Sequence, residues 1–221
     1  MLGSGRNVER MPRTLICVSH CDGAGGNDVA RLVADQLGLR YVDEEIISAA
    51  AQRAGAAPEL VADAEQRQPL LRRVLDELGA SGAAGMMATG GFPPPVPAGP
   101  PPPRSDELRR FIAEAIEAVA AKGHVVIGAH GASFALGARD DLLRVFVTAP
   151  AEARARRVAR ERGIAETEAE RQIRDADKTR ADYLRRFYDI DHEGPTQYDL
   201  VLNTEVLSPG EAARIVTHAA G

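Results

Sequence analysis

The run Ser19-His20-Cys21-Asp22-Gly23-Ala24-Gly25-Gly26-Asn27-Asp28 has the residue types and spacing to bind phosphate. It follows an apolar β-type stretch, Thr14-Leu15-Ile16-Cys17-Val18, and precedes an amphipathic one with Val29, Leu32, Val33 and Leu37 on one face. In such a strand–turn–helix layout, glycines let backbone N–H groups converge, and the helix N-terminus adds about half a positive charge. The Walker A pattern Gly-x-x-x-x-Gly-Lys-Ser/Thr is only partly present. Its lysine falls on Gly26 or Asn27, and its magnesium-binding hydroxyl is replaced near Asp28. His20 and Cys21 are neighbours with metal-ligand chemistry, but no further Cys/His cluster completes a tetrahedral set.

A second group lies on a long polar stretch nearer the C-terminus: Arg174, Asp177, Lys178 and Arg180. Phosphoryl transfer needs a backbone cradle, cations on the moving phosphoryl, usually magnesium, and an acceptor pocket. Helical i, i+3/i+4 spacing puts the three cations near one face, with Asp177 able to orient them or meet the acceptor. An ordinary solvated charged helix accounts for the same spacing.

Strands alternating with helices must hold these groups. Strands are expected at 14–18, 40–42, 124–127, 144–148 and 198–203, and helices at 27–37, 44–51, 58–78, 105–122, 151–162, 166–188 and 209–219. Ser105 offers an N-cap for the 105–122 helix, and Pro69 kinks or splits the 58–78 one. The alternation implies a three-layer α/β/α fold around a five-stranded parallel sheet, with ligands at the strand C-termini. Those ends carry Ser19–Asp28, Asp43, Gly128–Gly131, Thr148-Ala149-Pro150 and Asn203-Thr204.

Residues 79–104 hold eight of the fourteen prolines and six glycines. Such a segment buries too little apolar surface to order itself, and reads as a disordered Pro/Gly-rich insertion within the domain. Residues 1–13 read as a flexible N-terminus without the apolar core of a signal peptide, and 14–221 as a single domain.

Composition narrows the function classes. A net charge of −5 argues against a general nucleic-acid binder. No run of about 18 apolar residues exists to span a membrane. Two cysteines imply no disulfide framework and fit a reducing cytoplasm.

The motif order resembles nucleoside monophosphate kinases of the P-loop kinase superfamily, most closely the cytidylate kinase-like family. The resemblance rests on Ile16-Cys17-Val18-Ser19, Asp22 to Gly26, Tyr41-Val42-Asp43-Glu44-Glu45, Gly128 with Gly131-Ala132-Ser133-Phe134, Asp177-Lys178-Thr179-Arg180 with Tyr183, and Tyr198-Asp199-Leu200-Val201-Leu202-Asn203-Thr204. It covers 14–219 apart from the insertion. It implies transfer of the ATP γ-phosphoryl, with Mg2+, to a small-molecule nucleotide, CMP or dCMP. It implies that Asp22, Gly23, Ala24, Gly25, Gly26, Asn27 and Asp28 hold ATP, with Asp28 near the magnesium. It places Asp43 and Glu44 at the acceptor, and Asp177 and Arg180 in the catalytic group of a lid over 163–190. From their place on the charged helix, Lys178 is expected in the same group and Arg174 at the acceptor, and His130 is expected at the acceptor as the replacement for a lost arginine. Residues 44–104 correspond to the acceptor-binding lobe.

The departures are specific. Asn27 stands where the family's own loop carries arginine, and Ala129-His130 replace an arginine after the third strand. Lys178, Arg180, Arg185 or Arg186 can supply the missing charge from the lid. Two other readings stay open: a catalytically silent nucleotide-binding regulatory protein, and a kinase for another small acceptor. Oligomeric state is not legible.

Overall fold

A computed structural model describes residues 13–55, 105–128 and 131–221. Most of the expected N-terminal arm, the 58–78 helix, the Pro/Gly-rich insertion and His130 lie outside the described residues.

Five strands form one parallel sheet: β1 (Leu15–His20), β2 (Arg40–Val42), β3 (Val125–Gly128), β4 (Leu142–Thr148) and β5 (Leu200–Asn203), in the order β2-β3-β1-β4-β5. The described helices are α1 (Gly26–Leu37), α2 (Glu44–Ala54), α3 (Ser105–Ala120), α4 (Ala132–Ala135), α5 (Ala151–Arg162), α6 (Glu166–Tyr188) and α7 (Pro209–Ala220). None of them is long and apolar enough to cross a membrane.

The sheet is covered on both sides, which explains why its strands read as continuous apolar runs. Side chains alternate along β1. Leu15 and Cys17 join Ile46, Ile112, Ile116 and Ile127 in one core. Ile16 and Val18 join Val29, Val33, Val145, Val147 and Val216 in the other. The stripe on α3 points Ile112, Ala115 and Ile116 into the first core, with Phe111 and Val119 packed at its margin. α5 and α6 form a hairpin closed by a smaller cluster of Ala155, Val158, Ala169 and Ile173.

From β1 the chain moves to β2 at one edge, and from β4 to β5 at the other. The β1/β4 pair is therefore the switch point, where diverging connections leave a crevice at the strand C-termini. The residues ending those two strands, His20 and Thr148, open into the glycine loop and into Pro150 at the head of α5.

The last strand is shorter than expected. Pro195–Gln197 forms a 3-10 turn, and Tyr198 and Asp199 precede the β4–β5 ladder, which pairs Val145 with Leu200. Asp199 turns its carboxylate back onto Arg144, accepting from the backbone N–H at 2.8 Å and from Nη2 at 3.1 Å.

Candidate active site

The loop from Cys21 to Gly25 turns β1 into α1. Gly23 and Gly25 have φ of 72° and 71°, left-handed conformations that suit glycine. The Cys21 N–H donates to the Val147 carbonyl at 3.2 Å, and the Ala24 N–H to the Cys21 carbonyl at 3.1 Å. The N–H groups of Gly23, Gly25, Gly26, Asn27 and Asp28 meet no acceptor among the described residues. Unpaired donors at the head of a helix are groups that can cradle an anion.

The other side of the loop is gripped by α5. Arg154 donates from Nη1 to the Asp22 carbonyl at 3.1 Å, and Arg157 from Nη1 to the Gly23 carbonyl at 2.7 Å. The Thr204 hydroxyl, just beyond β5, donates to the Ala24 carbonyl at 2.8 Å. A planar trans peptide points its C=O and N–H in opposite directions. Holding the Asp22 and Ala24 carbonyls on the α5 side therefore turns the Gly23 and Gly25 N–H groups to the opposite side. Arg162 adds an ion pair to the Asp22 carboxylate at 3.6 Å.

Arg154 also reaches α6. It is 4% exposed, donates from Nε to the Ala149 carbonyl at 2.9 Å, and forms a two-pronged pair with Asp177 at 2.9 and 2.7 Å. Asp177 and Arg180 line a cavity of about 150 Å³ together with Cys21, Leu184, Asp191 and Glu193. Burial pushes the Cys21 thiol up, so it stays neutral there.

Arg180 is not free. Its Nε donates to Glu193 at 2.7 Å and its Nη2 to the second oxygen of the same carboxylate, to which the Tyr198 hydroxyl also donates. Burial opposes its charge, but the Glu193 carboxylate outweighs that and holds the guanidinium firmly protonated. The guanidinium also lies over the Phe146 ring, 5.6 Å from its centre.

The expected lid cations separate. Lys178 and Arg174 sit at exposed positions of α6 and do not line the cavity. Arg174 pairs with Glu170 at 3.8 Å. Arg171, Arg174 and Arg185 form i, i+3 or i, i+4 pairs, so much of this basic run is a solvated helical surface.

Asp43 follows β2 and accepts from the Tyr41 hydroxyl at 2.9 Å, and Glu44 opens α2 at an exposed position. Tyr41 connects this end of the sheet to the loop, its hydroxyl lying 3.4 Å from Asn27 Oδ1. Gly128 leaves room for Tyr41, since a Cβ there would lie 2.7 Å from the phenol oxygen. Asp28 is an exposed carboxylate in the first turn of α1. Among the described residues no group of three His, Cys, Asp or Glu side chains forms a metal site.

Sequence reasoning missed Arg154, Arg157 and Glu193, and found Thr204 only as part of a strand end facing the ligand crevice. Arg154 and Arg157 share a stretch with Arg156, Arg160 and Arg162, and nothing local distinguishes the buried Arg154 or the half-buried Arg157 from the rest.

Comparison with known proteins fits this geometry. Residues 15–206 match the family model described as the cytidylate kinase-like family. A cytidylate kinase from Ignicoccus hospitalis is 27% identical over 197 residues, covering 89% of this chain and 92% of that one. A cytidylate kinase from Methanopyrus kandleri is 36% identical over 77 residues, 35% of this chain and 40% of its own. Among solved structures, an uncharacterized protein from Eubacterium ventriosum superposes with a TM-score of 0.62 at 14% identity, covering 93% of this chain and 97% of that one. A sugar kinase from Janibacter superposes at 0.50 and 15% identity, covering 94% of each. The two structures establish the fold alone. With the family model spanning the sheet, the glycine loop and α6, the chain belongs to the cytidylate kinase-like family.

Proposed function

We propose that the protein is an ATP-dependent nucleoside monophosphate kinase that phosphorylates CMP or dCMP. The observation that carries this reading is the loop whose carbonyls are tied to Arg154, Arg157 and Thr204, leaving its N–H groups for phosphate, beside a cavity walled by Asp177 and Arg180. An oxygen of the acceptor's phosphate attacks the γ-phosphorus, and the bond from that phosphorus to the β,γ-bridging oxygen breaks, releasing ADP.

The N–H groups of Gly23, Gly25, Gly26, Asn27 and Asp28 hold the ATP phosphates with no reorganisation. Arg180 trades Glu193 for the transferring phosphoryl, and Asp177, fixed by Arg154, faces the acceptor. Asp43 and Glu44 lie toward the acceptor nucleotide. Magnesium bound with ATP neutralises charge on the phosphates. Asp28 suits it, because this ion takes one or two carboxylates alongside phosphate oxygens and water.

A second reading is a nucleotide-binding regulatory protein without turnover. It is favoured by the glycine that opens α1 where the Walker lysine belongs, and by the carboxylate already on Arg180. A coupled assay of ADP formation with ATP, magnesium and CMP, dCMP, UMP, AMP or GMP separates the two. Turnover with CMP or dCMP is expected. Thermal-shift binding of nucleotides with no ADP formed with any acceptor decides for the second reading.

A further inference from the structure

We propose that the His20 imidazole stands in for the missing loop lysine, filling its space and supplying the cation for bound phosphates. The inference rests on the reading that the loop holds nucleotide phosphates.

Gly25 is the left-handed cap of α1 and Gly26 its first helical residue, which fixes them as the Gly-Lys pair of the Walker pattern. The pattern's first glycine then falls five residues before Gly25, at His20. Against that pattern this chain differs at both positions: a side chain stands at 20 and none at 26. The geometry shows why. A Cβ built on Gly26 would lie 2.2 Å from His20 Cβ, 2.4 Å from Cγ and 2.6 Å from Cδ2. The two side chains compete for the same volume, so His20 requires glycine at 26, and a lysine at 26 requires a bare position at 20.

The contacts of the ring's two nitrogens suit a positive charge, although burial opposes it. Its Nδ1 lies 3.3 Å from the Cys21 carbonyl and its Nε2 2.9 Å from Asn27 Oδ1. Both are oxygen acceptors, whereas a neutral imidazole has one N–H. Tyr41 gives its single proton to Asp43 at 2.9 Å and so does not relieve the second acceptor. The charged groups facing the ring are Asp43 beyond β2, which favours the imidazolium, and Arg180 from α6, which opposes it. Burial is the largest influence and lowers its pKa. The free protein therefore holds a neutral ring, which Asn27 satisfies with its amide turned to donate. A phosphate anion on the neighbouring N–H groups reverses the balance, and binding takes up a proton at His20.

The test is calorimetric titration of the full chain with ATP, and separately with inorganic pyrophosphate, from pH 6.5 to 8.5 in buffers of different ionisation enthalpy. Ligand ionisation is common to all variants and cancels on comparison. In the wild type, affinity for both ligands should fall with pH beyond that ligand contribution, by up to about tenfold per unit for one linked proton. His20→Gln should bind about tenfold more weakly at pH 6.5 and lose the excess slope. Gly26→Lys alone should lose binding, whereas His20→Gly/Gly26→Lys should regain it with no excess pH dependence. Thermal melts establish that each variant folds, and the double variant stands if His20→Gln does not. Equal affinity and slope in wild type and His20→Gln, or no recovery in a folded double variant, overturns the inference alone. Failure of the wild type to bind either ligand at any pH overturns the phosphate reading and the inference with it.

Discussion

Replacing Arg154 by methionine removes the joint between the glycine loop and α6 while keeping most of the side chain's length and packing. The guanidinium makes four hydrogen bonds: one each to the Ala149 and Asp22 carbonyls and two to Asp177. Its side chain is 5% exposed, so water does not replace those donors. A buried acceptor left without its donor costs about 1–3 kcal/mol. Breaking a fully buried pair costs about 3–5 kcal/mol, but Asp177 is 40% exposed and rehydrates, which brings this pair down to about 1 kcal/mol. With about 1 kcal/mol for each of the two carbonyls, the sum is about 3 kcal/mol. At about 2–4 °C per kcal/mol for a chain of this size, the melting temperature should fall by about 10 °C. Urea denaturation and calorimetry of Arg154→Met, Asp177→Asn and the double variant provide the assay. The double variant should cost less than the sum of the singles, because the carboxylate and guanidinium share one interaction. Arg156→Met is the control, being 57% exposed and 4.0 Å from Glu205, and should stay within about 0.5 kcal/mol. If Arg154→Met melts with the control, the joint does not exist as described.

Gly23→Ala should destabilise the fold by about 2 kcal/mol and weaken ATP binding in titration, because the residue has φ of 72° and its Cβ would lie 2.9 Å from Val158 Cγ2. In the ADP-formation assay, Arg180→Met should lower turnover by about 10²–10³-fold, as expected for loss of a preorganised charge donor, while exposed Lys178→Met should change it by less than about threefold. At Asp199, burial pushes the carboxyl up, but the Arg144 hydrogen bonds outweigh it and hold the pKa below the ordinary value. Its contribution is present above the unfolded carboxylate range and lost as pH falls through the lower folded value. The melting-temperature gap between wild type and Asp199→Asn should be full at pH 6 and close below about pH 4. Burial pushes the Cys17 thiol up to about 12, so mass spectrometry after alkylation at pH 8 should find it modified only under unfolding conditions.

Much of the fold was legible because its signals are local. The 3.6-residue pattern and flanking glycines bounded α5 at Ala151–Arg162 and α6 at Glu166–Tyr188, as found. The glycine run placed the turn between β1 and α1, although α1 begins at Gly26, one residue earlier than the pattern suggested. The single turn of α4 escaped notice because four residues hold too little periodicity to register. Tyr198 and Asp199 read as strand from their neighbours, but Asp199 gives its carboxylate to Arg144 and the ladder begins after it.

The sequence by itself determined a parallel five-stranded α/β architecture with a glycine loop at the head of the first helix. Hydrophobic periodicity and glycine placement are properties of neighbouring residues, so they can be read along the chain. Only the tertiary structure decided which charges act. Arg154 and Arg157 look like any surface arginine until α5 is laid against residues more than 130 positions away. Arg180 reads as a free lid cation until Glu193 folds back onto it. The missing lysine reads as a loss until His20 is found where a side chain on Gly26 would have to go. Burial and long-range pairing set the electrostatics of this site, and neither is a property of sequence spacing.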